Sequence, residues 1–106
     1  MNIYRVVTTK QADRDIEAAI EHYINQGAAE AAAGLINALE KAMGLISEHP
    51  HLGSPRFAIE TNMLEIRGFA LQRFPYIIFY TEHYETVMVH RVLHTARDVP
   101  SRFIED

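Results

Sequence analysis

The last third of the chain leaves few options for its fold. A nearly continuous apolar run from about Gln72 to Tyr80 ends in FPYIIFY, and after the polar link Thr81 to Tyr84 comes ETVMVHRVLHTARD, Glu85 to Asp98. A segment that is apolar on both sides of its pleat suits a central strand covered on both faces. The second run, Thr86 to His94, is rich in β-branched residues. Read as a regular strand, it places Val87, Val89, Arg91 and Leu93 on one face and Met88, His90, Val92 and His94 on the other. Two strands joined by so short a link predict an antiparallel hairpin. The hairpin leads into RVLHTARD, a compact Arg/His cluster and the one concentration of potential site chemistry in the sequence.

Upstream, the periodicity changes. Ile3 to Thr8 reads as a first strand, and Thr8 or Thr9 is placed to cap a helix. Ala12, Ile16, Ala19, Ile20, Tyr23 and Ile24 recur at three- and four-residue steps, which predicts an amphipathic helix ending near Gly27. Its carboxylates Asp13, Asp15, Glu17 and Glu21 read as a solvated face favoured by the helix dipole. A second apolar stripe, Ala32, Leu35, Ile36, Leu39, Ala42, Met43 and Ile46, predicts a helix over 28–49, and Gly27 leaves room only for a tight αα-hairpin. Pro50, Gly53 and Pro55 then punctuate a loop. Met63 to Arg67 reads as a further strand, after which Gly68 and Phe69 lead into the central run. Asp98 is placed to cap a short terminal helix through Phe103, with Pro100 in its first turn. The expected class is α+β, in the order β-α-α-β-β-β with a short C-terminal helix.

Composition narrows the function classes. At 106 residues the chain is expected to be one domain, burying about 65% of its unfolded surface, enough for a single core. It has no Cys, which removes thiolate zinc sites, thiol nucleophiles and disulfides from consideration. No apolar run approaches the ~18 residues of a membrane span, and no signal-peptide core precedes the first strand, so a cytoplasmic protein with no membrane partner is expected. A net charge of −4 argues against broad attraction to nucleic-acid phosphates. That charge is unevenly spread. Residues 9–48 carry three basic and seven acidic side chains, whereas 67–102 carry five arginines (Arg67, Arg73, Arg91, Arg97, Arg102) against Glu82, Glu85 and Asp98.

The succession of these pieces resembles the RelE/ParE toxin superfamily and, within it, the ParE-like branch, the toxins of type II toxin–antitoxin and plasmid stabilisation systems. The strand-then-helix opening, the αα-hairpin, HPHLGSPR as a P-x-x-G-x-x-R element, the strand into Gly68-Phe69, FPYIIFY and the closing RVLHTARD occur in the family's order along almost the whole chain. The resemblance implies a RelE/ParE-like fold, with the αα-hairpin packed on a mainly antiparallel sheet. It also implies a toxin held inactive by a cognate, ParD-like antitoxin, with DNA gyrase as target, no cofactor, and no sequence-specific DNA binding by the toxin alone. The alternative within the superfamily is a RelE-like, ribosome-dependent mRNA endoribonuclease. A third is a non-toxic, antitoxin-binding co-repressor module.

RNA cleavage by 2′-hydroxyl attack needs a base, an acid and cations around the developing charge. The RelE-like enzymes resemble one another in gathering several Lys and Arg on the sheet with a C-terminal Tyr or His. This chain has two lysines, both in the predicted helices, no Tyr after Tyr84, and Tyr76, Ile77, Ile78 and Phe79 where an inward Arg is expected. An alternative nuclease site would combine Arg67, Arg73, His90 and His94, the two histidines sharing a strand face. The bland readings are packing histidines and arginines paired with Glu65, Glu82 or Glu85. His49 and His51 flank Pro50 without a third ligand nearby. Tyr23, Tyr76, Tyr80, Phe69 and Phe79 read as core rather than as base-stacking platforms. The non-enzymatic reading, with no catalytic residues, is therefore preferred, and it assigns target contact to Arg91, His94, Arg97 and Arg102. Antitoxin contact falls to apolar edges of the αα-hairpin and sheet.

Overall fold

The helical hairpin forms where the periodicity puts it. A computed structural model describes residues 3–57 and 65–98. Thr9 is the N-cap of α1 (Lys10–Asn25), its hydroxyl accepting from the Ala12 N–H at 3.0 Å. The same hydroxyl donates to the carbonyl of His90 at 2.9 Å, so one side chain both starts the helix and ties it to the sheet. At the other end Gly27 adopts φ +74°, with its N–H bonded to the Ile24 carbonyl and the Ala28 N–H to that of Tyr23. This is the Schellman pattern, which needs a residue free to enter the left-handed region. α2 (Ala29–Glu48) follows at once.

Among the described residues the strands are β1 (Arg5–Thr8), β2 (Arg67–Ala70), β3 (Tyr76–His83) and β4 (Thr86–His94). They form one sheet in the order β1-β4-β3-β2, antiparallel except for the parallel pair β1 and β4. Residues 50–52 and 55–57 make two 3₁₀ turns between α2 and β2. The α+β expectation holds, with the run 74–80 contributing to an interior strand. Ala12 and Ala19 of α1 and Leu35, Leu39, Ala42 and Ile46 of α2 pack on Tyr76, Ile78, Tyr80, Val87, Val89 and Val92. Leu35 is fully buried, and truncating such a leucine to Ala costs about 2–5 kcal/mol. Ile77 and Phe79, pointing away from the helices, are also buried, as suits a strand covered on both faces.

Several boundaries differ from expectation. β3 starts at Tyr76 because Pro75 has no N–H for a ladder, and the chain turns at 72–75 with the Tyr76 N–H bonded to the Phe74 carbonyl. The supposed link Thr81 to Tyr84 is mostly strand. Thr81, Glu82 and His83 pair with Met88, Val87 and Thr86, leaving a two-residue turn at Tyr84 and Glu85. Tyr84 takes φ 56°, a conformation that Gly or Asn adopts at less cost. β2 contains Gly68 and Phe69 rather than ending before them, while 58–64 of the preceding segment and the terminal helix expected beyond Asp98 lie outside the described residues.

The correction with most consequence is in β4. Opposite Phe79 stands Arg91 and opposite Tyr80 stands Val89, so His90 is the extra residue of a β-bulge. Regular alternation breaks there. Val87 and Val89 face the helices, and past the bulge Val92 and His94 face them too, in place of the expected set Val87, Val89, Arg91 and Leu93.

Candidate functional site

The bulge separates the two histidines that the sequence seemed to place together. His90 turns to the face away from the helices, where its Nε2 lies 2.9 Å from the hydroxyl of Thr81. His94 pairs across the ladder with Tyr76 on the helix side, and the two rings meet edge to face with centroids 5.1 Å apart. Burial pushes both histidines below their ordinary pKa of 6.5, and at His94 the Arg97 guanidinium adds to the effect. An acid and a base on opposite faces of one sheet cannot serve one phosphate.

Two of the arginines are occupied in holding the fold. Past Thr9 no strand among the described residues lies beside the edge of β4, and α1 satisfies it instead. The Asp15 carboxylate accepts the Val92 N–H at 3.0 Å and grips Arg91 through Nε at 2.7 Å and a terminal nitrogen at 3.1 Å. Thus Asp15 is a structural acceptor rather than part of a purely solvated face, and Arg91 is paired with it rather than with Glu85. The hydrogen bond to Asp15 raises the Arg91 pKa further.

Arg67 donates to the Gly53 carbonyl at 2.8 Å, and another of its guanidinium nitrogens lies 3.1 Å from His51 Nδ1. Since Arg only donates, that ring nitrogen is the one placed to accept, and Nε2 lies 3.7 Å from a Glu82 oxygen. The clamp is completed by Tyr80, wholly buried, whose hydroxyl donates to the Pro50 carbonyl at 2.7 Å and accepts the Gly53 N–H at 2.8 Å. Burial raises its phenol pKa, with the Gly53 hydrogen bond and Arg67 opposing. A Cβ on Gly53 would stand 2.6 Å from that hydroxyl, so the close approach is what requires glycine. The loop motif and the FPYIIFY strand therefore lock each other.

What remains is the end of the sheet where β3 begins and β4 stops. Arg97 donates to the Tyr76 hydroxyl at 3.2 Å, and the Thr95 N–H bonds to the Pro75 carbonyl at 2.8 Å, drawing the turn at 95–98 against the loop at 72–75. Burial raises the Tyr76 phenol, and Arg97 pulls it back down. Arg73 is exposed in that same loop and makes no ion pair among the described residues. His22 on α1 lies close enough to His94 for its charge to act there. Of the four residues expected at a target surface, His94 and Arg97 come together here, Arg91 is bound to Asp15, and Arg102 lies outside the described residues. Of the four expected of a nuclease, Arg67, His90 and His94 are directed to different places, and only Arg73 is at the end of the sheet with His94.

Sequence reasoning missed Asp15 and the hydroxyl of Tyr80. A buried tyrosine needs a polar partner, which was a usable signal. One aspartate among the carboxylates of α1 offered none.

The family model of the ParE toxin of type II toxin–antitoxin systems, parDE, matches residues 6–99 of the chain. Among solved structures, one described as the chromosomal ParDE TA system from P. aeruginosa superposes with a TM-score of 0.72 at 16% sequence identity, covering 87% of this chain and 96% of that one. At that identity the likeness bears on the fold. A search of the curated proteins gives no significant match.

Proposed function

The chain belongs to the ParE toxin family of type II toxin–antitoxin systems, and from that premise we propose that it arrests growth by binding a cellular target rather than by catalysis. The target in this reading is DNA gyrase, held in a state in which cleaved DNA accumulates, and a ParD-like antitoxin neutralises the toxin in the cytoplasm. The observation that carries the non-catalytic reading is the dispersal of the nuclease candidates. His90 is on one face, His94 on the other with Arg73 at its end of the sheet, and Arg67 is on the loop carbonyls. Among the described residues no acid, base and cations converge where a scissile phosphate would need them.

Of the C-terminal arginines among the described residues, those not held by a carboxylate or a loop carbonyl are Arg97 and Arg73 at the end of the sheet, with Arg102 following in sequence. Target engagement is assigned to that end, and His94 positions it. Antitoxin contact is assigned to apolar edges of the helical hairpin, where Ile24 and Ile36 are exposed.

Induced expression without the antitoxin tests this directly. DNA breakage with intact mRNA is the expected result, and co-expression of the antitoxin should abolish it. Ribosome-dependent mRNA cleavage without DNA breakage would overturn the proposal.

A further inference from the structure

The turn after β4 is held by an unusual cap. His94 Nδ1 accepts the backbone N–H of Ala96 at 3.0 Å and of Arg97 at 3.2 Å, the role that Asn, Asp, Ser or Thr ordinarily fills at the start of a turn or helix. Reciprocally, an Asp98 carboxylate oxygen accepts the His94 N–H at 3.0 Å, and the Asp98 N–H bonds to the His94 carbonyl at 2.9 Å. Any of the usual cap residues would make these bonds at every pH. A histidine makes them only while Nδ1 carries no proton.

We propose that His94 is a proton-operated latch: neutral, it holds the turn at 95–98 against the end of the sheet, and protonated, it releases that turn. Adding a proton puts a third N–H donor against two others, so the bonds to Ala96 and Arg97 cannot survive in this geometry. The charged groups facing the ring divide in their effect. Arg97 in the turn and His22 on α1 oppose its protonation, while Asp98 favours it. Tyr76 on β3 meets the ring with its edge and stays neutral over the range in which His94 titrates.

That the released turn carries a target-engaging cation, Arg97, rests on the functional reading above. On that reading acidification weakens target binding, because a binding-competent arrangement populated at one part in ten lowers the apparent affinity about tenfold.

The test is an NMR titration of the full chain from about pH 8 to about pH 5, with His94→Asn as control. Asn places an oxygen where Nδ1 stood and does not titrate. In the native chain the amide signals of Ala96, Arg97 and Asp98 should move toward unstructured positions with one midpoint, shared with the His94 ring, and in the Asn variant they should stay in place. Asp98→Asn, which keeps an acceptor but removes the carboxylate charge, should move that midpoint to lower pH. An acid transition of the same midpoint in His94→Asn, or amide signals that hold still while the ring titrates, would overturn the latch. So would a midpoint unmoved by Asp98→Asn. Gyrase binding measured across the same range judges the other reading separately: a latch that opens with no loss of binding removes the turn from target engagement and leaves the latch intact.

Discussion

Asp15→Ala should destabilise the protein more than Arg91→Ala, and neither should act chiefly through the target. The Asp15 side chain is 15% exposed and holds three N–H donors, whereas the Arg91 side chain is 41% exposed. Because the guanidinium is well solvated, its pairing is held to about 1 kcal/mol, the upper end for surface ion pairs. The Val92 N–H is different, since it lies on a strand edge that α1 covers, and leaving it without an acceptor costs about 1–2 kcal/mol. Asp15→Ala loses both and should cost about 2–3 kcal/mol, while Arg91→Ala leaves the Val92 bond in place and should cost about 1 kcal/mol.

For a chain near this size each kcal/mol moves the melting temperature by about 4–8 °C. Thermal denaturation at pH 7 should therefore show a fall of about 8–24 °C for Asp15→Ala and about 4–8 °C for Arg91→Ala. Asp15→Asn, which keeps an oxygen for Val92, should fall between them. Growth arrest by Arg91→Ala should track its folded fraction. Complete loss of arrest by Arg91→Ala with an unchanged melting temperature would return Arg91 to the target surface and refute the reasoning.

Tyr80→Phe, which strands the Gly53 N–H and the Pro50 carbonyl in a buried site, should cost about 2–3 kcal/mol in urea denaturation, and a change under about 0.5 kcal/mol, the level of an ordinary surface substitution, would mean that the clamp is idle. Gly53→Ala should destabilise through its collision with the same hydroxyl, and Tyr80→Phe should partly relieve that collision in the double variant; strictly additive losses would argue against a shared contact. His90 and His94 both have pKa values lowered by folding, so their contribution to stability is complete above the ordinary 6.5 and is lost as pH falls through the lower folded values. Denaturation midpoints should accordingly drop as pH falls from about 6.5 through those lower values, less steeply in His90→Gln, and a flat profile would contradict the assignment. Saturating antitoxin should raise the melting temperature, since a ligand bound only to the folded state stabilises it by mass action. An unchanged value would remove the partner from the account.

The helices were legible because their cores are written at three- and four-residue steps, and Gly27 marked the break between them. β4 was legible in extent, Thr86 to His94, but not in facing. The clue was the spacing of its buried valines, two residues from Val87 to Val89 and then three to Val92, which regular alternation cannot accommodate. Reading through that break put His90 beside His94 and made a nuclease site conceivable. Arg91 was misassigned for another reason: its partner lies 76 positions away, and the edge that Asp15 covers exists only once α1 packs beside β4. Gly53 and Tyr80, 27 positions apart, are two halves of one contact whose separate motifs gave no sign of each other.

The central claim, a toxin that binds rather than cuts, is met most directly by adding the purified chain to DNA gyrase on supercoiled plasmid and following linear DNA, with Arg97→Ala and the pair His90→Gln with His94→Gln run alongside. Linear DNA should accumulate with the native chain, fall with Arg97→Ala and fall only modestly with the histidine pair, as expected of contacts worth about 1–2 kcal/mol at a binding surface. Undisturbed gyrase, together with ribosome-bound mRNA cut by the native chain and spared by the histidine pair, would contradict it.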